Sequence, residues 1–233
     1  AKPVAWAEGM RRFSPSAINE YMRCQLLFFY NRVAKIKAPQ KQAVIIEPNV
    51  LGSVFHKTAE LFYLDFVEHG NPVITPARLA PFLEPAADAS LVFYVRRAMA
   101  EEQVGENVLV EQIVKSFFKQ LLRNDSKLET FKIKGLETPR ALTFNVLVNG
   151  AVRQVELCGI IDRMDIVSDP TINDGAETLR IVDYKTNGSM EQALSMDALF
   201  TPGEKHPHYV LQTFLYALMV APDVNSMPLM PTL

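Results

Sequence analysis

Residues 159–165 read Gly159-Ile-Ile-Asp162-Arg163-Met-Asp165, and residues 181–186 read Ile181-Val182-Asp183-Tyr184-Lys185-Thr186. Both stretches have the β-branched, apolar character of buried strands, yet both carry charge. Side chains alternate along a strand, which puts Ile181, Asp183 and Lys185 on one face and Val182 and Tyr184 on the other. A buried charge is costly unless it is paired or bound to a metal. Asp162 on one strand and Asp183 with Lys185 on its neighbour therefore suggest a divalent-metal site beside a cation, an arrangement suited to phosphodiester cleavage. An Asp-x-Lys strand taken alone fits an exposed edge strand with an ion pair better than it fits a metal site.

Working outward, the pattern predicts an α/β protein. Ser14-Pro15 reads as an N-cap followed by proline at the first helical position. Ile18, Tyr21, Met22, Leu26 and Phe29 then recur at helical spacing. A helix is expected from about Leu51 to His69, ending at Gly70, with Gly52 and His56 near its start. Further helices are expected from Thr75-Pro76 to the prolines at 81–85, over 86–103, and after an Asn107 cap. From Phe131 the period shifts toward two. Residues 139–148 and 152–167 alternate around Asn149-Gly150, a hairpin signal. A polar loop over 169–178 leads to a strand over 179–186. A last helix runs from about His208 to Val220, where Gln212 and Tyr216, four residues apart, share a face. Residues 71–127 carry no chemical motif and read as a helical insertion covering one side of the sheet.

The bulk properties set bounds. The chain has 233 residues, enough for one domain with its own core, and is 48% hydrophobic and 21% charged. No apolar run is long enough to cross a membrane, so no membrane partner is expected. Cys24 and Cys158 are the two cysteines, too few for a disulfide framework, so a reducing cytoplasm fits. Asn187-Gly-Ser matches a glycosylation acceptor and reads there as a turn. The net charge of −2 is not that of a general nucleic-acid binder. Residues 1–46, however, hold eight Lys/Arg against Glu8 and Glu20, a net +6. That segment can follow a phosphate backbone or be a solvated basic face. Tyr21, Phe28 and Tyr30 can stack on bases, with core packing as the plainer account.

The order His56, Asp162, Asp183-x-Lys185, Gln212-xxx-Tyr216 resembles the RecB-like branch of the PD-(D/E)XK nuclease superfamily. That branch includes the nuclease domains of the RecB and AddB helicase–nuclease subunits. The resemblance runs from about Ser14 to Tyr216 and takes in the opening Ser14-Pro-Ser-Ala-Ile-Asn-Glu-Tyr21-Met-Arg-Cys24. It implies a restriction-endonuclease-like core, a mixed sheet flanked by helices. It also implies a Mg²⁺- or Mn²⁺-dependent DNase, an exonuclease of repair or recombination working with a helicase subunit. The alternative is a nuclease-like domain that binds DNA or a helicase without cutting. A plain interaction domain would show no cluster of His56, Asp162, Asp183 and Lys185 in space.

The same resemblance assigns roles. Asp162, Asp183, His56 and the backbone carbonyl of Tyr184 would hold the metal, the imidazole favouring manganese over magnesium. Lys185 would orient the attacking water and stabilise developing charge. Gln212 and Tyr216 would position DNA and the lysine. Glu137 would be an additional acidic residue, with Glu156 competing for that place. Arg163 and Asp165 read as an intrastrand ion pair on the face opposite Asp162. Cys24 stands where some AddB-like relatives place the first ligand of an iron–sulfur cluster. Such a cluster needs four thiolates, and Gln25 replaces the proline expected next. No cluster is therefore expected, and Cys24 reads as a buried thiol. Relatives continue with another strand and helix after the Gln-xxx-Tyr motif. Residues 221–233 read instead as a proline-rich tail, so the chain reads as a C-terminally incomplete fragment.

Overall fold

The computed structural model describes residues 12–36, 48–186, 193, 195–203, 206–224 and 226–233. Much of the basic segment, including Arg11 and Lys41, and the Asn187-Gly-Ser turn lie outside the described residues. Among the described residues, six strands form one mixed sheet. They are β1 (Arg12–Phe13), β2 (Val73–Ile74), β3 (Thr130–Val148), β4 (Ala151–Ser168), β5 (Thr178–Val182) and β6 (Leu229–Thr232). The order across the sheet is β2-β3-β4-β5-β6, and β1 also pairs with β4. The β5–β6 and β1–β4 pairs are parallel and the others antiparallel.

The β3–β4 hairpin is the backbone of the sheet. Its turn is Asn149-Gly150 with φ of 51° and 76°, the left-handed pair that a two-residue hairpin turn needs. From Val148↔Ala151 the register runs to Thr130↔Ser168, with one shift between Ile133 and Gly135. Near that shift Glu137 takes φ of 41°. β5 joins β4 over Arg163↔Val182 to Val167↔Thr178, whereas β1 joins it at Glu156 and Leu157. Between the two, residues 158–161 pair only with β3 among the described residues. Asp162 thus lies where the sheet forks.

Helices cover both faces. On one side lie α3 (Pro48–Glu68), α4 (Pro76–Leu83), α5 (Asp88–Glu101) and α6 (Val108–Asp125). Phe55, Phe62 and Tyr63 of α3 and Val114 and Phe118 of α6 pack there with Phe131, Val167, Val182 and Tyr184. On the other side lie α1 (Pro15–Arg23) and α7 (His208–Val220). Tyr216, Ala217, Met219 and Val220 of α7 pack on Leu157, Ile161, Met164 and Ile181. Every residue of β5 is buried, as a strand covered on both faces requires. No helix among the described residues is long and apolar enough to cross a membrane.

Several elements depart from the sequence pattern. The strand expected over 179–186 ends at Val182. The Tyr184 N–H is donated to Asp162 Oδ2 at 2.7 Å rather than to a strand. The opening helix breaks at Cys24, whose backbone is extended (φ −160°). A short helix α2 (Gln25–Phe28) and a π-helical turn (Phe29–Val33) follow. Leu26, Phe29, Tyr21 and Tyr30 are exposed there, so core packing does not account for Tyr21 and Tyr30. Cys24 is exposed too, against the expectation of a buried thiol. The tail is not irregular: β6 continues the sheet beside β5, with Pro231 opposite Ile181. Proline is tolerated because β6 is an edge strand. Residues 71–127 are not wholly helical, since β2 adds to the edge of β3.

Beneath the sheet lies a buried charge network. Arg163 donates two hydrogen bonds to Asp125 at the end of α6, at 2.7 and 2.9 Å. Arg180 on β5 grips Asp165 on β4 through two more, at 2.8 and 2.9 Å. Nη2 of Arg180 reaches Asp125 at 3.3 Å, and Arg163 Nε lies 3.0 Å from Asp165. The pairing of Arg163 with Asp165 is thus one edge of a larger square. The Tyr63 hydroxyl donates to Asp125 at 2.5 Å, and its ring lies 4.7 Å from the Arg163 guanidinium. Burial pushes the Asp125 carboxyl up, but Arg163 and Arg180 more than offset this and hold it below its usual range.

Removing one member strands the others. Asp125→Ala is expected to destabilise the fold by about 3–5 kcal/mol, because it leaves buried guanidinium groups under-compensated. Urea unfolding checks this, and a loss below about 1 kcal/mol would contradict the reading.

Candidate metal centre

Five elements bring the site together. His56 lies on α3, one face of the sheet. Glu137 and Asp162 lie on β3 and β4 at the fork. Asp183, Tyr184 and Lys185 follow the end of β5. Gln212 and Tyr216 reach in from α7 on the opposite face. Gly159 makes that approach possible: a Cβ there would stand 2.9 Å from the Tyr216 ring and 3.5 Å from Pro15.

The imidazole is oriented from behind. His56 Nε2 is 3.1 Å from the Tyr184 carbonyl. A carbonyl only accepts, so Nε2 carries the hydrogen, which leaves Nδ1 facing the acids. Nδ1 lies 3.4 Å from Asp162 Oδ1 and 4.0 Å from Glu137 Oε1. Among the described residues, one ligand atom from each of His56, Glu137 and Asp162 lies within 4.8 Å of the others. Asp183 stands next to this group rather than in it. Its Oδ1 accepts from Gln212 Nε2 at 3.2 Å, and its Oδ2 is ion-paired with Lys185. A carboxylate oxygen has two lone pairs, so the contact with Lys185 leaves one on Oδ2 unspent. Gln212 Nε2 also donates to the Tyr216 hydroxyl at 3.0 Å. Lys185 Nζ sits 5.0 Å from the Tyr209 ring centre.

Of the two acids that the sequence offers for the additional acidic place, Glu137 lies at the cluster and Glu156 does not. Glu156 is tied to Arg12 at 2.5 Å on the far half of β4, whereas Glu137 reaches the cluster. The left-handed backbone of Glu137 is rare outside glycine, asparagine and aspartate. Strain of this kind gathers at functional sites.

Electrostatics show a site crowded with negative charge. Burial, then repulsion by Asp162, pushes the Glu137 carboxyl up to about 7. Burial raises Asp183 to about 6 even though Lys185 opposes the shift. Burial works against a charged His56, but Asp162, Glu137 and Asp183 outweigh it and raise the ring's pKa. A nitrogen and several carboxylate oxygens, excess negative charge and the unspent Oδ2 of Asp183 fit a hard divalent cation.

These shifts give a test without substrate. A carboxyl whose folded pKa is raised favours the protonated form. Its cost is absent at low pH and grows as pH rises from 4.5 toward 7. Glu137→Gln is therefore expected to stabilise the metal-free protein by about 1–3 kcal/mol at pH 8. The gain should vanish in acid. Melting curves in EDTA across pH check this, and a variant less stable than wild type at pH 8 would contradict it.

No curated protein sequence matches the chain. A family model described as the PD-(D/E)XK nuclease superfamily matches residues 12–229, nearly the whole length. The match takes in both strands of the fork, α3, α7 and every residue of the cluster. With its mixed sheet flanked by helices and its His and acidic cluster beside Asp183-x-Lys185, the chain belongs to the PD-(D/E)XK nuclease superfamily, whose members are metal-dependent nucleases.

Proposed function

We propose that the protein is a deoxyribonuclease that hydrolyses phosphodiester bonds with Mg²⁺ or Mn²⁺. In this reading it is an exonuclease of the RecB/AddB-like branch, acting in the cytoplasm in repair or recombination alongside a helicase subunit. The observation that supports it best is the meeting of His56, Glu137 and Asp162 next to the Asp183–Lys185 pair. The branch assignment rests on the order of the motifs along the chain.

In this reading His56, Glu137 and Asp162 hold the cation, with Asp183 as a further oxygen donor. The Tyr184 carbonyl, expected in the ligand set, accepts from His56 Nε2 on the side of the ring away from Nδ1 and the acids, so in this reading it orients the imidazole instead of holding the cation. What such a cation supplies is positive charge against the phosphate and a water that ionises more readily. The chain's own groups do the rest. Tyr184 fixes the site twice, its N–H on Asp162 and its carbonyl on His56. Such outer hydrogen bonds orient ligands before binding. Gln212 anchors Asp183. Lys185 Nζ, a cation beside Asp183, donates to the attacking water or to a phosphate oxygen as negative charge builds.

Two variants separate binding from chemistry. Lys185→Ala is expected to lose on the order of 10²–10³-fold in cleavage and to keep Mn²⁺ affinity, since a protonated lysine offers no lone pair. Asp183→Ala is expected to lose both. Calorimetry with Mn²⁺ and a nicking assay check these outcomes. Full cleavage by Lys185→Ala, or unchanged Mn²⁺ affinity in Asp183→Ala, would refute the roles. Metal binding by a wild type that cuts no DNA would point to the non-cleaving alternative.

A further inference from the structure

A cavity of ≈ 380 Å³ opens between α1, the π-helical turn and the start of α7, a size that suits a small ligand. Gln212 lines it and also donates to Asp183, so one side chain separates the cavity from the candidate metal centre. Arg23 and Arg32 line it as well. Arg23 forms no ion pair among the described residues. Arg32 is held by its Nε alone, which donates to Glu20 Oε2 at 2.7 Å. Its two terminal amino groups make no hydrogen bond among the described residues and offer the fork that matches a phosphate. Glu20 serves as a buttress: Asn31 donates to its other oxygen. Burial pushes its carboxyl up, but Arg32 and Asn31 more than offset this and hold it below its usual range. Asn19 donates to the His208 carbonyl at 2.8 Å, which ties α1 to α7. Helix α7 begins at His208 without a side-chain cap. The positive end of a helix therefore opens beside the two arginines.

We propose that this cavity is a phosphate-binding subsite for the DNA strand, in which Arg23 and Arg32 grip one phosphoryl group next to the bond being cut. This deepens the nuclease reading and rests on it. The group is either a diester within the strand or a monoester at its end. Glu20 is a positioning residue. It subtracts charge from the cavity, yet it sets the posture of Arg32.

Steady-state cleavage of a short DNA oligonucleotide with Mn²⁺ tests the proposal, using substrates with and without a terminal phosphate at each end. Arg23→Ala and Arg32→Ala are each expected to raise KM about tenfold, the worth of one charged hydrogen-bonded contact. The salt dependence of kcat/KM should flatten by about 0.7–0.9 in logarithmic slope per lost phosphate contact. Mn²⁺ affinity and melting temperature should hold. Arg32→Lys, which keeps the charge but loses the fork, should recover only part of the loss. A loss confined to substrates phosphorylated at one end assigns the subsite to a terminal monoester, and an equal loss on all substrates assigns it to an internal diester. Glu20→Gln discriminates most sharply. A positioning role predicts weaker substrate binding, whereas a diffuse basic surface predicts tighter binding once a negative charge is removed. Unchanged KM and salt slope in both arginine variants, or tighter binding by Glu20→Gln, would overturn the subsite while leaving the nuclease reading intact. A wild type that cuts no DNA would overturn both.

Discussion

Two aspartates and two arginines buried under the sheet constrain everything above them. Asp125, Arg163, Asp165 and Arg180 are each no more than 7% exposed, and together they carry no net charge. A buried charge is tolerable only with a partner in good geometry, so each side chain fixes the others. Arg163 and Asp165 belong to β4, Arg180 to β5, and Asp125 to the last turn of α6. The network thus sets the register of the two central strands and pins the α3–α6 layer to them. Replacement by well-packed apolar groups can match such networks in stability. What the ionic version adds here is directional: bidentate pairs, at 2.7–2.9 Å, accept one register of β5 on β4.

The candidate site begins one residue from that network and obeys the opposite rule. Arg163 is fully compensated; Asp162, its neighbour, joins a group whose acids are not. Lys185 is the one lysine or arginine among the described residues that touches it, against Asp162, Asp183 and Glu137. The consequence is visible in the raised carboxyls of Glu137 and Asp183. Glu137 adds a left-handed backbone. A sheet built for stability alone would not gather these groups. The compensated square below over-determines strand positions and so sustains the uncompensated cluster above, the division expected between scaffold and functional site.

Much of this arrangement was legible in the chain. Asp162, Asp183 and Lys185 stood out because charge in an apolar strand needs an explanation. His56 and Gln212-xxx-Tyr216 stood out because helical spacing put them on defined faces, and Asn149-Gly150 fixed the hairpin. What stayed hidden was long-range. Asp125 ends a helix with no motif, so nothing local marked it as the partner of Arg163 and Arg180. A signal did exist: Arg163, Asp165 and Arg180 sum to a net positive charge on two buried strands, which demanded one more acid from elsewhere. β6 went unread because Pro228 and Pro231 mimic a loop, and only its edge position reconciles proline with pairing. The strand end at Val182 was invisible because the Tyr184 N–H is taken by a side chain 22 residues away. Cys24 reads as a buried thiol once a cluster is set aside, yet it is exposed, as are Tyr21, Leu26, Phe29 and Tyr30 around it.

The fork between β4 and β5 explains why these separate features converge. A continuous sheet would pair residues 158–162 on both sides and bury Asp162 among ladder hydrogen bonds. Because β5 ends at Val182, Asp162 takes the Tyr184 N–H instead, and Asp183 turns toward α7 and Gln212. Gly159 lets Tyr216 settle onto the stretch of β4 that β5 leaves unpaired, and Asn19 of α1 holds the start of α7 through the His208 carbonyl. The cavity holding Arg23 and Arg32 is the space left between those two helices. One interrupted pairing therefore creates the metal-ligand cluster, admits the α7 side chains that support it, and opens a polar pocket beside it.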